Sequence, residues 1–309
     1  MINILGRRYL FFTLSLILII PGIILGFING LNLSVDFTGG TLIEMKFESG
    51  KLPPPAEVLE VYNRLNIEDP QVQTTDQNTI IARSAFIDDA IRNNLLTAVE
   101  DKFNDQVTTV RFDSVGPIIG REVAMRAAMA VTVAVLIVII YITFAFRGIP
   151  HAFRYGICGI IAMVHDVAIV ISLVILGGYL WNWQIDALFL TALLTVIGFS
   201  VQDKIVVFDR IRENSNIYKR LPFETLVNHS IIQTLQRSIN TQLMTVEFML
   251  LALILFGGVT LREFASILLL GLFSGTYSSI FIAAPVLVVW EKQEWRTWFR
   301  RKQPEEVVA

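Results

Sequence analysis

Long apolar runs, broken by short polar ones, dominate the chain. A helix crossing a hydrocarbon core about 30 Å thick needs roughly 20 mostly apolar residues. Six stretches meet that requirement: 9–28, 123–146, 155–176, 185–208, 239–256 and 264–290. The first follows Arg7 and Arg8 and has the look of a signal sequence. Its apolar run is too long for a usual signal core, and Gly26-Phe27-Ile28 leads into Asn29 and Gly30 without a small-residue cleavage site, so it reads as an uncleaved anchor.

Between the first two runs the pattern changes to short alternating segments. Over 41–48, Leu42, Glu44, Lys46 and Glu48 alternate with Ile43, Met45 and Phe47, the period of a strand. Pro53-Pro54-Pro55 opens a helix over 56–65, as proline suits a helix start. Strands over 72–75 and 79–83 are joined by the turn formers Asp76-Gln77-Asn78. A helix over 86–103 places Ile87, Ile91, Leu95, Leu96 and Val99 at helical spacing, and a last strand covers 106–112. The order β-α-β-β-α-β is that of a ferredoxin-like module, an arrangement that hosts many functions and decides none. The expected fold class is a membrane all-α bundle of six helices with an inserted α+β domain. The expected divisions are 1–29 for the first span, 30–120 for the inserted domain, 121–292 for spans two to six, and 293–309 for a basic tail.

Composition sharpens this picture. Of 309 residues, 54% are hydrophobic and 17% charged, against about 25% charged in soluble domains; the mean hydropathy is +0.60. Residues 31–120 carry 14 acidic and 7 basic side chains, a net −7, and the remainder carries 13 and 18, a net +5. Lysine and arginine mark cytoplasmic loops. Arg7 and Arg8, then Arg147 and Arg154, then Arg210, Arg212, Lys219, Arg220 and Arg237, and finally Lys292, Arg296, Arg300, Arg301 and Lys302 all fall on one side of six spans. Only Arg121, Arg126 and Arg262 depart from that pattern. Both termini are therefore expected in the cytoplasm and the 30–120 domain outside it. The net charge of −2 gives no argument for a nucleic-acid partner. Cys158 stands alone in an apolar run, so no disulfide and no metal-ligand spacing is expected. Gly39-Gly40 and Gly257-Gly258 follow spans without opening a phosphate-binding helix, so nucleotide binding is not expected.

Ionisable residues inside spans are costly and mark function by default. Asp166, Asp203, Lys204 and Glu247 stand within apolar runs, His165 precedes Asp166, and Arg237 opens the fifth span. Lys204 and Glu247 fall on adjacent antiparallel spans. Each alone in lipid would cost roughly 2.5–3.5 kcal/mol, so they are expected to pair. No Ser-His-Asp or HExxH pattern is present, and His165 and Asp166 are helix neighbours expected to face apart. An enzyme is not expected. The segment 209–236 is amphipathic, with Ile211, Ile217, Leu221, Leu226, Ile231 and Ile232 among charges, and reads as a cytoplasmic link along the membrane surface that packs on its own bundle, the alternative being a contact site for a partner.

At these residues the chain resembles a known family. Asp36-Phe37-Thr38-Gly39-Gly40, Gly116-Pro117 with Gly120 and Glu122, His165-Asp166, Thr195-Val196-Ile197-Gly198-Phe199-Ser200-Val201-Gln202-Asp203 with Phe208-Asp209-Arg210, and Arg237-Ser238-Ile239-Asn240-Thr241 are similar, in that order, to the motifs of the SecD/SecF protein-export family of the RND superfamily. The resemblance implies a six-span half of a translocase assembly in a bacterial inner membrane. It implies pairing with SecD and use of the proton-motive force to assist preproteins through SecYEG after SecA-driven entry, with YajC as a further partner. It also implies that Asp203 and Arg237, with Asp166 beside them, relay protons. Here the position after the aspartate, usually small and polar in the family, is Lys204. An alternative is a half-size RND exporter of small molecules or lipids. That reading expects a larger exported domain than one module of about 90 residues.

Overall fold

The computed structural model describes residues 3–75, 78–147, 152–242, 248–256 and 259–296. They divide into two compact units: 33–130 with 184–187, and the described parts of 1–32, 131–183 and 188–309.

The first of these carries a four-stranded sheet of β1 (Gly40–Phe47), β2 (Gln71–Thr74), β3 (Ile80–Ser84) and β4 (Val107–Val115). Its order is β2-β3-β1-β4, antiparallel throughout. α1 (Arg8–Asn29) and the short α2 (Val35–Thr38) precede β1. α3 (Pro55–Arg64) and α4 (Asp89–Phe103) complete the strand-helix-strand-strand-helix-strand order. Met45, Phe47, Val58, Tyr62, Ile80, Leu95 and Val99 form its core. α4 begins one turn later than the apolar spacing predicts, because the Asp88 carboxylate accepts from Ile91 N (2.8 Å) and fixes the first turn there. β1 is central, so its expected alternation of buried and exposed positions is largely lost. Leu42 and Glu44 are buried as well, and Glu44 Oε1 accepts from Thr79 Oγ1 (2.6 Å). Asp76 and Gln77 of the expected turn lie outside the described residues.

Gly39 and Gly40 have a steric reason to be glycine. Both have positive φ, 74° and 118°, a region costly for side chains. A Cβ on Gly39 would lie 2.6 Å from Pro117 Cα, and one on Gly120 would lie 2.6 Å from Gly39 N. The chain leaving α2 and the helix starting at Pro117 therefore touch backbone to backbone. Asp36 Oδ2 accepts from Ala187 N (3.2 Å). Gly116 has open space around it, so packing does not explain it.

The second unit is helical. Five helices among the described residues are long and apolar enough to cross a membrane: Leu5–Asn29, Pro117–Ala145, Phe153–Trp181, Ala187–Ile217 and Leu261–Glu291. They correspond to α1, α5 (Pro117–Ala145), α6 (Ala152–Trp181), α7 (Ala187–Ile217), and a last run that follows α8 (Phe223–Gln242) and α9 (Phe248–Phe256). That last run joins α10 (Val259–Ser278), a π-helical turn Ser279–Ala283 and α11 (Ala284–Glu291). The expected span 239–256 falls on the end of α8 and on α9. Residues 243–247, which include Glu247, lie outside the described residues, as do Gly257 and Gly258. The expected link 209–236 is no separate element: α7 runs on to Ile217 and α8 starts at Phe223, with Ile211, Leu226, Val227 and Ile231 buried.

Small residues let these helices approach. A Cβ on Gly22 would overlap Ser172, whose hydroxyl donates to Leu18 O (2.8 Å), so α1 and α6 pack backbone to backbone. Gly275 of α10 lies against Ser200 of α7, and Gly271 against Val196. That crossing brings three helices to one polar level.

Candidate functional site

α6, α7 and α10 converge on Asp166. Ser200 and Lys204 are four residues apart on α7 and so share a face; Ser274 and Ser278 have the same relation on α10. All four turn toward the one carboxylate, which is 1% exposed. Asp166 Oδ2 accepts from Ser200 Oγ (2.5 Å), Lys204 Nζ (2.7 Å) and Ser278 Oγ (2.7 Å). Asp166 Oδ1 accepts from Ser274 Oγ (3.0 Å) and lies 3.0 Å from His165 Nδ1. The helix neighbours His165 and Asp166, expected to face apart, thus meet through their side chains. The imidazole also lies against the Tyr277 ring, centroids 6.2 Å apart. Ser200 donates to the carboxylate and not to the imidazole, so the three residues are not arranged as a nucleophile and its base.

Lys204, which the sequence pattern paired with Glu247, is held by Asp166 and is itself 1% exposed. Its ammonium also donates to Ser200 O (3.3 Å) and contacts Ser200 Oγ. A buried charge pair is tolerable when its remaining hydrogen-bonding capacity is filled, and here four side chains besides the lysine fill it on the carboxylate side.

Asp203 is the next residue on α7 and faces a different way. It is 7% exposed, and Ser279 Oγ donates to its Oδ2 at 3.3 Å. Ser238 of α8 is buried against the same carboxyl without closing a hydrogen bond of good geometry. Among the described residues Asp203 makes no ion pair. α10 and the π-helical turn that follows it serve both acids: Ser278 ends α10 and reaches Asp166, and Ser279 opens the turn and reaches Asp203. Single π turns inside helices are frequent at functional sites.

Arg237 lies on an exposed face of α8, and no hydrogen bond joins it to Asp203. The structure therefore brings together Asp166, His165, Lys204 and, one helical step away, Asp203; it leaves Arg237 apart. Gly198 has open space around it. Four serines that build the site, 200, 274, 278 and 279, were not singled out in the sequence. The available signal was the spacing of small polar residues in two apolar runs, Ser200 with Lys204 and Ser274 with Ser278.

Known proteins resemble this chain along most of its length. Residues 95–293 match the family described as protein export membrane protein SecD/SecF, C-terminal, and residues 24–51 match the SecD/SecF GG motif. The chain is 68% identical to a protein translocase subunit SecF of Anaerolinea thermophila, with 97% of this chain and 98% of that protein covered. It is 45% identical to the subunit of the same name from Thermobaculum terrenum, with 99% of each chain covered. Among solved structures, the crystal structure of SecDF, a translocon-associated membrane protein from Thermus thermophilus, superposes with a TM-score of 0.81 at 32% identity. It covers 94% of this chain, which spans 39% of the longer SecDF chain.

Proposed function

The chain belongs to the SecD/SecF family of protein-export membrane proteins, and from that premise we propose how it works. It is a translocase subunit that assists preprotein export through SecYEG after SecA-driven entry, paired with SecD and driven by the proton-motive force. The near full-length similarity to SecF proteins carries the translocase reading. The fused SecDF chain, more than twice as long, supports a separate partner for this half. α5 offers a surface for lipid or that partner: only 6% of its most apolar stretch is buried. YajC, from the family resemblance, remains a further partner.

On this reading the bundle has six spans, 239–256 being the fifth in chain order, added to the five long apolar helices among the described residues. The 30–120 module is ferredoxin-like, as its sheet order β2-β3-β1-β4 supports. It lies outside the cytoplasm of a bacterial inner membrane, with both termini inside, as the lysine and arginine bias argues.

In the relay, Asp203 carries the proton. Its carboxyl is buried, has one long hydrogen bond and lacks an ion pair among the described residues, so its charge state is free to change with what approaches it. Arg237, exposed on α8, acts when helix movement or the partner half brings it near. Asp166 carries an ammonium already, and its part in the relay is to hold the helices around Asp203. The test is preprotein export into energised vesicles containing SecD and Asp203→Asn. Gradient-dependent export should be lost while complex assembly persists. Unchanged export would make the buried acids packing elements of a scaffold.

A further inference from the structure

The Lys204 ammonium sits in an oxygen cage built by Asp166 Oδ2 (2.7 Å), Ser200 O (3.3 Å) and Ser200 Oγ. Ser278 Oγ stands 2.7 Å from the same carboxylate oxygen, and both charged side chains are 1% exposed. Carboxylate, carbonyl and hydroxyl oxygens are the donor set of hard cations. The serine hydroxyls can turn a lone pair inward as readily as a proton. The cage has one formal negative charge, Asp166, which matches a cation of single charge.

We propose that this cage is a monovalent alkali-cation site permanently filled by the protein's own ammonium, and that Lys204 is the residue that excludes free cations from it. An ammonium takes longer oxygen contacts than sodium does, so potassium is the closer substitute once the tether is removed. A consequence, resting on the ion-coupled reading above, is that Asp166 keeps one partner throughout and the exchangeable charge is confined to Asp203.

The test is thermal unfolding of the purified complex with SecD in potassium, sodium or choline chloride at equal ionic strength. The wild type should melt at the same temperature in all three. Lys204→Ala opens the cage and should melt lower in choline, with Tm rising with the logarithm of potassium concentration and less with sodium, as binding linkage requires. Lys204→Met fills the space without charge and should show no such rescue. Asp166→Asn with Lys204→Ala removes the need for a cation and should be indifferent to salt identity. An equal response of Lys204→Ala to choline and to potassium would overturn the proposal. So would failure to recover Lys204→Ala in any salt while the double variant folds, because no free cation could then replace the ammonium. None of these readings uses export, so the cage and the proton-coupled function stand or fall separately.

Discussion

Asp166 and Asp203 are identical in chemistry and differ in company. Asp166 holds a lysine, three serines and a histidine nitrogen; among the described residues Asp203 accepts one hydrogen bond of good geometry, from Ser279 at 3.3 Å. Removing one member of a buried pair strands the other charge, at a cost of about 3–5 kcal/mol. Asp166→Asn should therefore lower Tm strongly, and adding Lys204→Met should restore most of it, because the second change removes the stranded ammonium. Equal Tm loss in the single and double variants would contradict the pairing. Asp166, Asp203 and Lys204 were legible in the sequence because charge is conspicuous in apolar runs. Their partners were not, since which helix face meets which is decided by packing: the approach of Gly271 and Gly275 to α7 sets the level of Ser274 and Ser278. Gly39 is the other position where a single atom decides. Gly39→Ala combines a positive φ with a Cβ 2.6 Å from the Pro117 backbone. It should reduce stability by more than the roughly 1 kcal/mol that a compatible glycine replacement changes, read as a drop in Tm of the purified protein.

At the scale of elements, the β-α-β-β-α-β order was readable because strand and helix periods differ and turn formers punctuate them. β1 departed from its alternating pattern because it lies inside the sheet between β3 and β4, with residues of both faces, Leu42 and Glu44 as well as Ile43 and Met45, buried. The amphipathic pattern of 209–236 is that of helix faces packed on protein, as Ile211, Leu226 and Ile231, buried inside the unit, illustrate. The π-helical turn has no sequence signature that periodicity would detect, since one extra residue per turn is a tertiary adjustment. Capping gives a prediction at this scale. Asp88→Ala removes the acceptor for Ile91 N and should cost about 1 kcal/mol. Hydrogen exchange should then quicken through the first turn of α4, with protection of β1 little changed. Uniform loss of protection across the sheet would mean that Asp88 supports the whole module and not the helix end.

At the scale of the whole molecule, the chain divides into two compact units, and residues 31–120 are net acidic where the remainder is net basic. Within the helical unit, an ionic network gathers distant parts of the chain at one end. Arg8, at the start of α1, pairs with Glu224 (2.9 Å) at the start of α8 and with Glu294 (2.5 Å) beyond α11. Lys292 pairs with Glu224, and Tyr9 Oη donates to Glu294 (2.7 Å). Backbone Ile4 N donates to Asn228 Oδ1 (3.0 Å), securing the segment before α1 to α8. The Lys292 hydrogen bond, then Arg8, hold the Glu224 carboxyl below its ordinary value of 4.5, against the opposing effect of partial burial. A carboxylate depressed in the folded state stabilises it fully above the unfolded value, and that stabilisation fades as pH falls through the folded value. Glu224→Gln should therefore melt below the wild type near neutral pH. The gap should narrow as pH drops below about 4.5 and close once Glu224 is protonated in the wild type. Added salt should narrow the neutral-pH gap as well, because the network is only partly buried and its charges are screened. A gap constant across this range would assign Glu224 to packing, since only a charge-dependent tether between these distant parts of the chain loses its hold with acid.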